Sequence, residues 1–204
     1  MRRFTWKCLT LLALFILAGC AAKNVDQSIN TSQLTETGLV YASLSTSDEY
    51  LYGPIATFRL KQGGIIKSRE EDNPLLGTLK PSELQDDYGR LVVLELPAVG
   101  NSLKHWLVTH GVTQYQPVED VPEIGFTVEP GKAVYLGNLH IHVRMGKNFV
   151  GQPVIGDLVP EIRDRSQRDR EMFQARYPNV AEADIIAKQP FVGVWSQSNP
   201  LLAQ

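Results

Sequence analysis

His140 and His142 are separated by one residue inside Ala133–Arg144, a stretch that reads as one long alternating strand. On a strand, positions i and i+2 point the same way and lie about 6.5–7 Å apart. Two imidazoles so placed could share a zinc ion. A structural site needs four ligands and a catalytic one three plus water. His105 or His110, on a neighbouring strand, is the candidate third ligand. Arg144 on the same face opposes a cation. The competing reading puts Leu139, Ile141 and Val143 in the core and leaves Asn138, His140 and His142 in solvent.

Other chemistries find weaker support. There is no Gly-x-Ser-x-Gly elbow of a serine hydrolase. Gly63-Gly64 lacks the Gly-Lys-Ser/Thr that a phosphate loop needs and reads as a hairpin tip. Glu70, Glu71 and Asp72 could join Asp86 and Asp87 around calcium, but their spacing matches no EF-hand loop, and a solvated acidic loop is expected. Arg163, Arg165, Arg168 and Arg170 are interleaved with Asp164, Asp169 and Glu171, the pattern of a salt-bridged surface. Gathered on one side, the same arginines would form a docking face for an acidic partner. Trp106, Tyr115 and Trp195 could line a sugar platform, or fill a core.

The elements that must position these residues are mostly strands. Leu39–Leu44, Ile55–Lys61, Ile65–Lys67, Leu91–Leu96, Leu103–Thr109, Ile124–Val128 and Ala133–Arg144 are short apolar or alternating segments separated by turn residues. Leu91–Leu96 is apolar except for Glu95, as expected of a strand covered on both faces. Glu129-Pro130-Gly131-Lys132 is a turn, in which proline sets φ and glycine supplies φ > 0. Residues 68–90 read as a long loop with one helical turn after Pro81. The pattern predicts an antiparallel β-sandwich over 37–150 and a helical extension over 151–204. That extension carries a charged surface helix over Glu161–Tyr177, stopped by Pro178, a short helix over Ala181–Lys188 and a last strand over Phe191–Trp195.

Residues 1–20 have another character. Arg2, Arg3 and Lys7 precede an apolar run from Leu9 to Leu17, and Ala18-Gly19 then lead to Cys20. This is a secretory-signal layout, and the run is shorter than the roughly 20 residues a membrane span needs. Leu17-Ala18-Gly19-Cys20 resembles the lipobox of bacterial lipoproteins. The resemblance implies removal of 1–19, diacylglycerol on the Cys20 sulfur and palmitate-type acylation of the new amine. Two or three chains would moor the protein firmly, whereas one binds only marginally. Ala21 follows in place of the Asp of inner-membrane retention, which favours the outer membrane. Residues 20–36 are polar and read as a flexible tether.

Cleavage would leave 185 of the 204 residues. With Cys8 removed and Cys20 lipidated, no disulfide is possible and packing must hold the fold. The basic count would fall from 20 to 17 against 22 acidic residues, a formal charge of −5. Such a surface gives no reason to expect nucleic acid. Anionic headgroups would repel it as a whole.

Phe126-Thr127-Val128-Glu129-Pro130-Gly131-Lys132-Ala133-Val134-Tyr135-Leu136-Gly137-Asn138-Leu139, with Leu94–Gly100 before it and Tyr177-Pro178 after it, resembles segments of poorly characterised bacterial lipoproteins. These carry a β-sandwich of the prealbumin or carboxypeptidase-regulatory type. The resemblance implies that fold and transfers no catalytic residue. The expectation is therefore a membrane-anchored, periplasm-facing lipoprotein that is a structural or interaction module without catalysis or cofactor. Its partner would be an envelope protein or peptidoglycan. The alternative is a metal-dependent or carbohydrate-binding domain built on His140 and His142.

Overall fold

The computed structural model describes residues 24–47, 53–73, 78–187, 189–195 and 201–202. The expected signal segment 1–19 and Cys20 lie outside them. Among the described residues, fourteen strands run in chain order. They are β1 Thr37–Thr46, β2 Ile55–Leu60, β3 Ile65–Lys67, β4 Glu71–Asn73, β5 Thr78–Leu79, β6 Tyr88–Pro97 and β7 Gly100–His110. There follow β8 Thr113–Gln116, β9 Ile124–Thr127, β10 Ala133–Lys147, β11 Pro153–Arg163, β12 Ile185–Ile186, β13 Gly193–Val194 and β14 Leu201–Leu202. An α-helix, α1, spans Ser166–Arg176.

The chain is mainly β, as its pattern predicts. One sheet runs β13-β11-β10-β1-β6, with β12 also on β10. The other large sheet runs β14-β8-β7-β2-β3, with β9 also on β7, and β4 pairs with β5 in a separate two-stranded ribbon. Val40, Ala42 and Leu44 of β1 meet Ala56 and Phe58 of β2 and Trp106 and Val108 of β7 in one buried core between the sheets. The expected all-antiparallel pairing is corrected. β1 runs parallel to β10, with Leu39 opposite Ala133 and Thr46 opposite Ile141, and β12 is also parallel to β10. Parallel neighbours need a long crossover, and here five strands of the other sheet (β2, β3, β7, β8 and β9) and β6 lie between β1 and β10 in sequence.

A second core covers the outer face of the first sheet. Leu39 and Tyr41 of β1, Leu91 and Val93 of β6, and Ala133 and Tyr135 of β10 are buried beneath Phe173, Tyr177 and Val180. The Phe173 ring stacks on Tyr41 at 4.4 Å and on Tyr177 at 5.2 Å. This explains why β1 and the middle of β6 read as continuous apolar runs, since both of their faces are covered.

Four boundaries differ from expectation. The sandwich does not end at 150, because β11 pairs with β10 from Lys147–Pro153 through Asn138–Arg163. The helix therefore begins at Ser166 rather than Glu161. Asp164 Oδ1 accepts the Ser166 N–H at 2.9 Å and marks the start. Pro178 ends it, and the expected helix over 181–188 is a 3-10 turn at Glu182–Asp184 followed by β12. Within the expected tether 20–36, the described part from Asn24 is seated on the sheet. Val25 donates its N–H to the Val93 carbonyl at 3.1 Å, and Thr31 is buried. Val25, Ile29 and Leu34 pack on the second core, so three scattered apolar residues outweigh the polar composition.

Candidate functional site

Gly137 decides which side chains the long strand presents where. It has φ +105°, and the β1–β10 register slips there, so Tyr41 faces Tyr135 but Ser43 faces Asn138. This bulge reverses the alternation. Before it, Val134 and Leu136 enter the inter-sheet core; after it, Leu139 and Ile141 do. Asn138 and His140 thereby follow Tyr135 onto the outer face, beside α1. The unbroken alternation expected over Ala133–Arg144 is corrected at this point. A Cβ on Gly137 would come within 2.6 Å of Ile162 Cγ2.

Under α1 lies a closed polar cluster. Asp169, on the inner side of the helix, is fully buried. Its Oδ2 accepts the hydroxyls of Ser43 and Tyr135, each at 2.6 Å, and its Oδ1 accepts Arg168 Nε at 2.9 Å. Asn138 Nδ2 donates to Ser43 Oγ at 2.9 Å and to Ser45 Oγ at 3.1 Å, while its Oδ1 accepts Arg163 Nε at 2.8 Å. Arg163 pairs with Asp87, Arg168 with Asp86, and Arg165 Nε lies 3.5 Å from Asp86. Three arginines thus face three carboxylates. The loop bearing Asp86 and Asp87 is closed by Ser82, whose hydroxyl donates to the Asp87 carbonyl at 2.7 Å and accepts the Gly89 N–H at 3.0 Å. That side-chain turn takes the place of the helical turn expected after Pro81.

His140 is sealed inside this cluster. Its Nδ1 lies 2.8 Å from Ser45 Oγ and 3.0 Å from Arg163 Nη2. A guanidinium only donates, so Nδ1 accepts and the ring proton sits on Nε2. Burial, reinforced by Arg163, His142, Arg165 and Arg168, pushes the His140 pKa down to about 2. Burial and the adjacent Asp169 charge raise the Tyr135 phenol. For Arg168, burial favours the neutral form, but the Asp169 and Asp86 carboxylates outweigh it and raise its pKa.

Ser45, His140 and Asp87 together invite comparison with a catalytic triad, but their wiring excludes one. A triad base takes the serine proton on one ring nitrogen and is oriented through the other. Here Asp87 Oδ1, at 3.8 Å, approaches the same Nδ1 that Ser45 contacts. Ser45 and His140 are both fully buried, so no substrate reaches them.

The described geometry gives the metal reading no support. A metal-bound imidazole donates its second N–H to an acceptor, whereas Nδ1 of His140 is held by a cation. His142 lies next to it, ring centroids 4.4 Å apart, but its half-exposed side chain bonds Glu161 at 2.8 Å. His105 precedes the inward-facing Trp106 and therefore points away from the core of the other sheet, so it cannot reach His140. Among the described residues no group of three or more His, Cys, Asp or Glu side chains is placed to hold a metal.

The remaining candidates resolve similarly. Asp86 and Asp87 bond arginines, and Glu70 bonds Lys80 and Arg90, so these carboxylates are already neutralised. Arg170 pairs with Glu182, and the four arginines serve internal contacts more than a docking face. Trp106, Tyr115 and Trp195 are core residues, at most 8% exposed. Gly63 and Gly64, with φ +94° and +99°, form the expected β2–β3 hairpin tip. Comparison with protein-family models, with curated proteins and with solved structures found no match.

Proposed function

We propose that the chain is a lipid-anchored envelope protein whose folded body is a structural or interaction module. The observation that carries this reading is the Leu17-Ala18-Gly19-Cys20 box, which follows a basic start and an apolar run. Cys20 has one role, attachment to diacylglycerol, and the outer membrane facing the periplasm is the destination consistent with Ala21. The closed polar cluster supports the non-catalytic part. Its Ser, His, Asp and Arg side chains are spent on pinning α1 and the 82–87 loop to the sheet. The exposed loops are left to meet an envelope protein or peptidoglycan. No helix among the described residues is long and apolar enough to cross a membrane, and on this reading the mooring is the lipid.

Metabolic labelling with radioactive palmitate tests the reading. The chain should take up label and sediment with membranes, and Cys20→Ser should abolish both. Equal labelling or equal sedimentation of Cys20→Ser would overturn it.

A further inference from the structure

Val112, Phe149 and Val150 are the three most exposed large apolar side chains among the described residues. The first two are fully exposed and Val150 is 60% exposed. All three sit on hairpin tips. Val112 lies between β7 and β8, and Phe149 and Val150 lie between β10 and β11. Apolar groups gathered in this way mark a contact surface. We infer that the two tips insert into the surface of a lipid bilayer and so set how the domain stands on the membrane that holds its anchor. The inference rests on the lipid-anchor reading, which supplies the bilayer.

Strand direction brings both tips to one end of the sandwich. β10 runs parallel to β1, so the β10–β11 tip lies beyond the end where β1 finishes. β6 runs back along β1, and β7 follows it directly and returns in the direction of β1. The β7–β8 tip therefore lies at that end too. Tyr115 of β8 and Ile155 of β11 meet in the inter-sheet core and join the two hairpins. The Phe149 tip is rigidly built. Asn148 Oδ1 accepts the N–H groups of Val150 at 3.1 Å and of Gln152 at 2.9 Å. The Asn148 N–H donates to the Gln152 carbonyl and the Gly151 N–H to the Asn148 carbonyl, each at 2.9 Å. Gly151, at φ +82°, closes the turn. Phe149 and Val150 are thus fixed outward before any contact forms, which lowers the ordering cost of binding.

The chemistry of the tips selects the occupant. An interfacial apolar surface rests about 5–10 Å deep, at the boundary between headgroups and acyl chains. A carboxylate carried to that depth without a partner would be costly. Residues 105–118 and 143–156, which form the two hairpin ends, contain no acidic residue in a chain that has 22. Their cations are Arg144 and Lys147. Arg144 lies 3.8 Å from Asp157 across the strand pair and keeps an exposed side chain. Lys147 is exposed two residues before Phe149, where its stem can follow the apolar tip while its ammonium meets anionic headgroups. Both tips are protrusions, and a fluid bilayer receives a protrusion without a matching groove.

Tryptophan fluorescence of the full chain provides the test. Chains carrying Phe149→Trp, Val112→Trp or Val192→Trp are reconstituted in vesicles of phosphatidylethanolamine and phosphatidylglycerol. Half of the samples also contain phosphatidylcholine brominated near the top of its acyl chains. Wild-type emission is subtracted; it includes that of the buried Trp106 and Trp195. All three positions are exposed, so the variants should fold as wild type does. The inference predicts a blue-shifted indole that loses emission to the brominated lipid at 149 and at 112. The indole at 192, beside the edge strand β13, should keep its emission. Emission as in water at either tip, or equal quenching at 192, would overturn the inference. So would a blue shift without quenching, which would place protein against the tips. The intact mass of Cys20 is read on the same sample. An unmodified thiol with both tips quenched removes the anchor reading alone, and a lipidated Cys20 with unquenched tips removes the insertion.

Discussion

Replacing His140 with Gln separates the buried imidazole from every other titrating group. Burial and the surrounding arginines hold the native pKa near 2, against about 6.5 in the unfolded chain. A histidine depressed in this way contributes stability above the unfolded pKa and loses it as pH falls, because the unfolded state binds a proton that the native state refuses. From pH 7 to pH 5 that difference amounts to about 2 kcal/mol for one such site. Carboxylates lowered by arginines, such as Asp86, lose stability too. They are present in both proteins and cancel in the comparison. Urea unfolding of wild type and His140→Gln at pH 7, 6 and 5 reads the effect. Wild type should lose about 2 kcal/mol more than the variant, whatever their offset at pH 7. Should the variant fail to fold, the His140 ring signals of wild type serve instead and should not shift between pH 7 and 5. Parallel stability curves, or a His140 midpoint near pH 6, would refute the neutral, sealed imidazole.

Asp169→Ala should cost about 3–5 kcal/mol in denaturant unfolding, since it removes the acceptor of two buried hydroxyls and one of the two carboxylates that hold Arg168. A loss under 1 kcal/mol would show that the helix does not depend on this carboxylate. Gly137→Ala should cost roughly 2–3 kcal/mol, because φ +105° is strained for any side chain and Ile162 blocks the added carbon. Its crystal structure should show the bulge shifted, and an unchanged melting temperature would contradict the account. Zinc should leave the melting temperatures of wild type and His142→Ala alike, and a rise specific to wild type would restore the metal reading.

The strand content was legible because most strands carry uninterrupted local signals, apolar runs bounded by glycine and proline. Leu91–Leu96 even showed its double coverage, since both faces needed apolar residues. β11 was missed because Gly156, Asp157 and Pro160 dilute its pattern, and its pairing with β10 is a tertiary contact. The parallel pairing of β1 with β10 left no local trace. Gly137 was the available signal for the reversed alternation, since a lone glycine inside a strand marks a bulge. Without that shift, Asn138 and His140 read as solvent-facing. The residues that complete the cluster, Ser43, Ser45, Asp87 and Asp169, are scattered over the chain. No spacing rule joins a β1 serine to a helix aspartate 126 positions away.

Mass spectrometry of the N-terminal peptide of the protein from its native host addresses the anchor itself. The account predicts a chain that starts at Cys20, with diacylglycerol on the sulfur and an acyl group on the amine. An intact Met1–Gly19 leader, or a free thiol at Cys20, would contradict it.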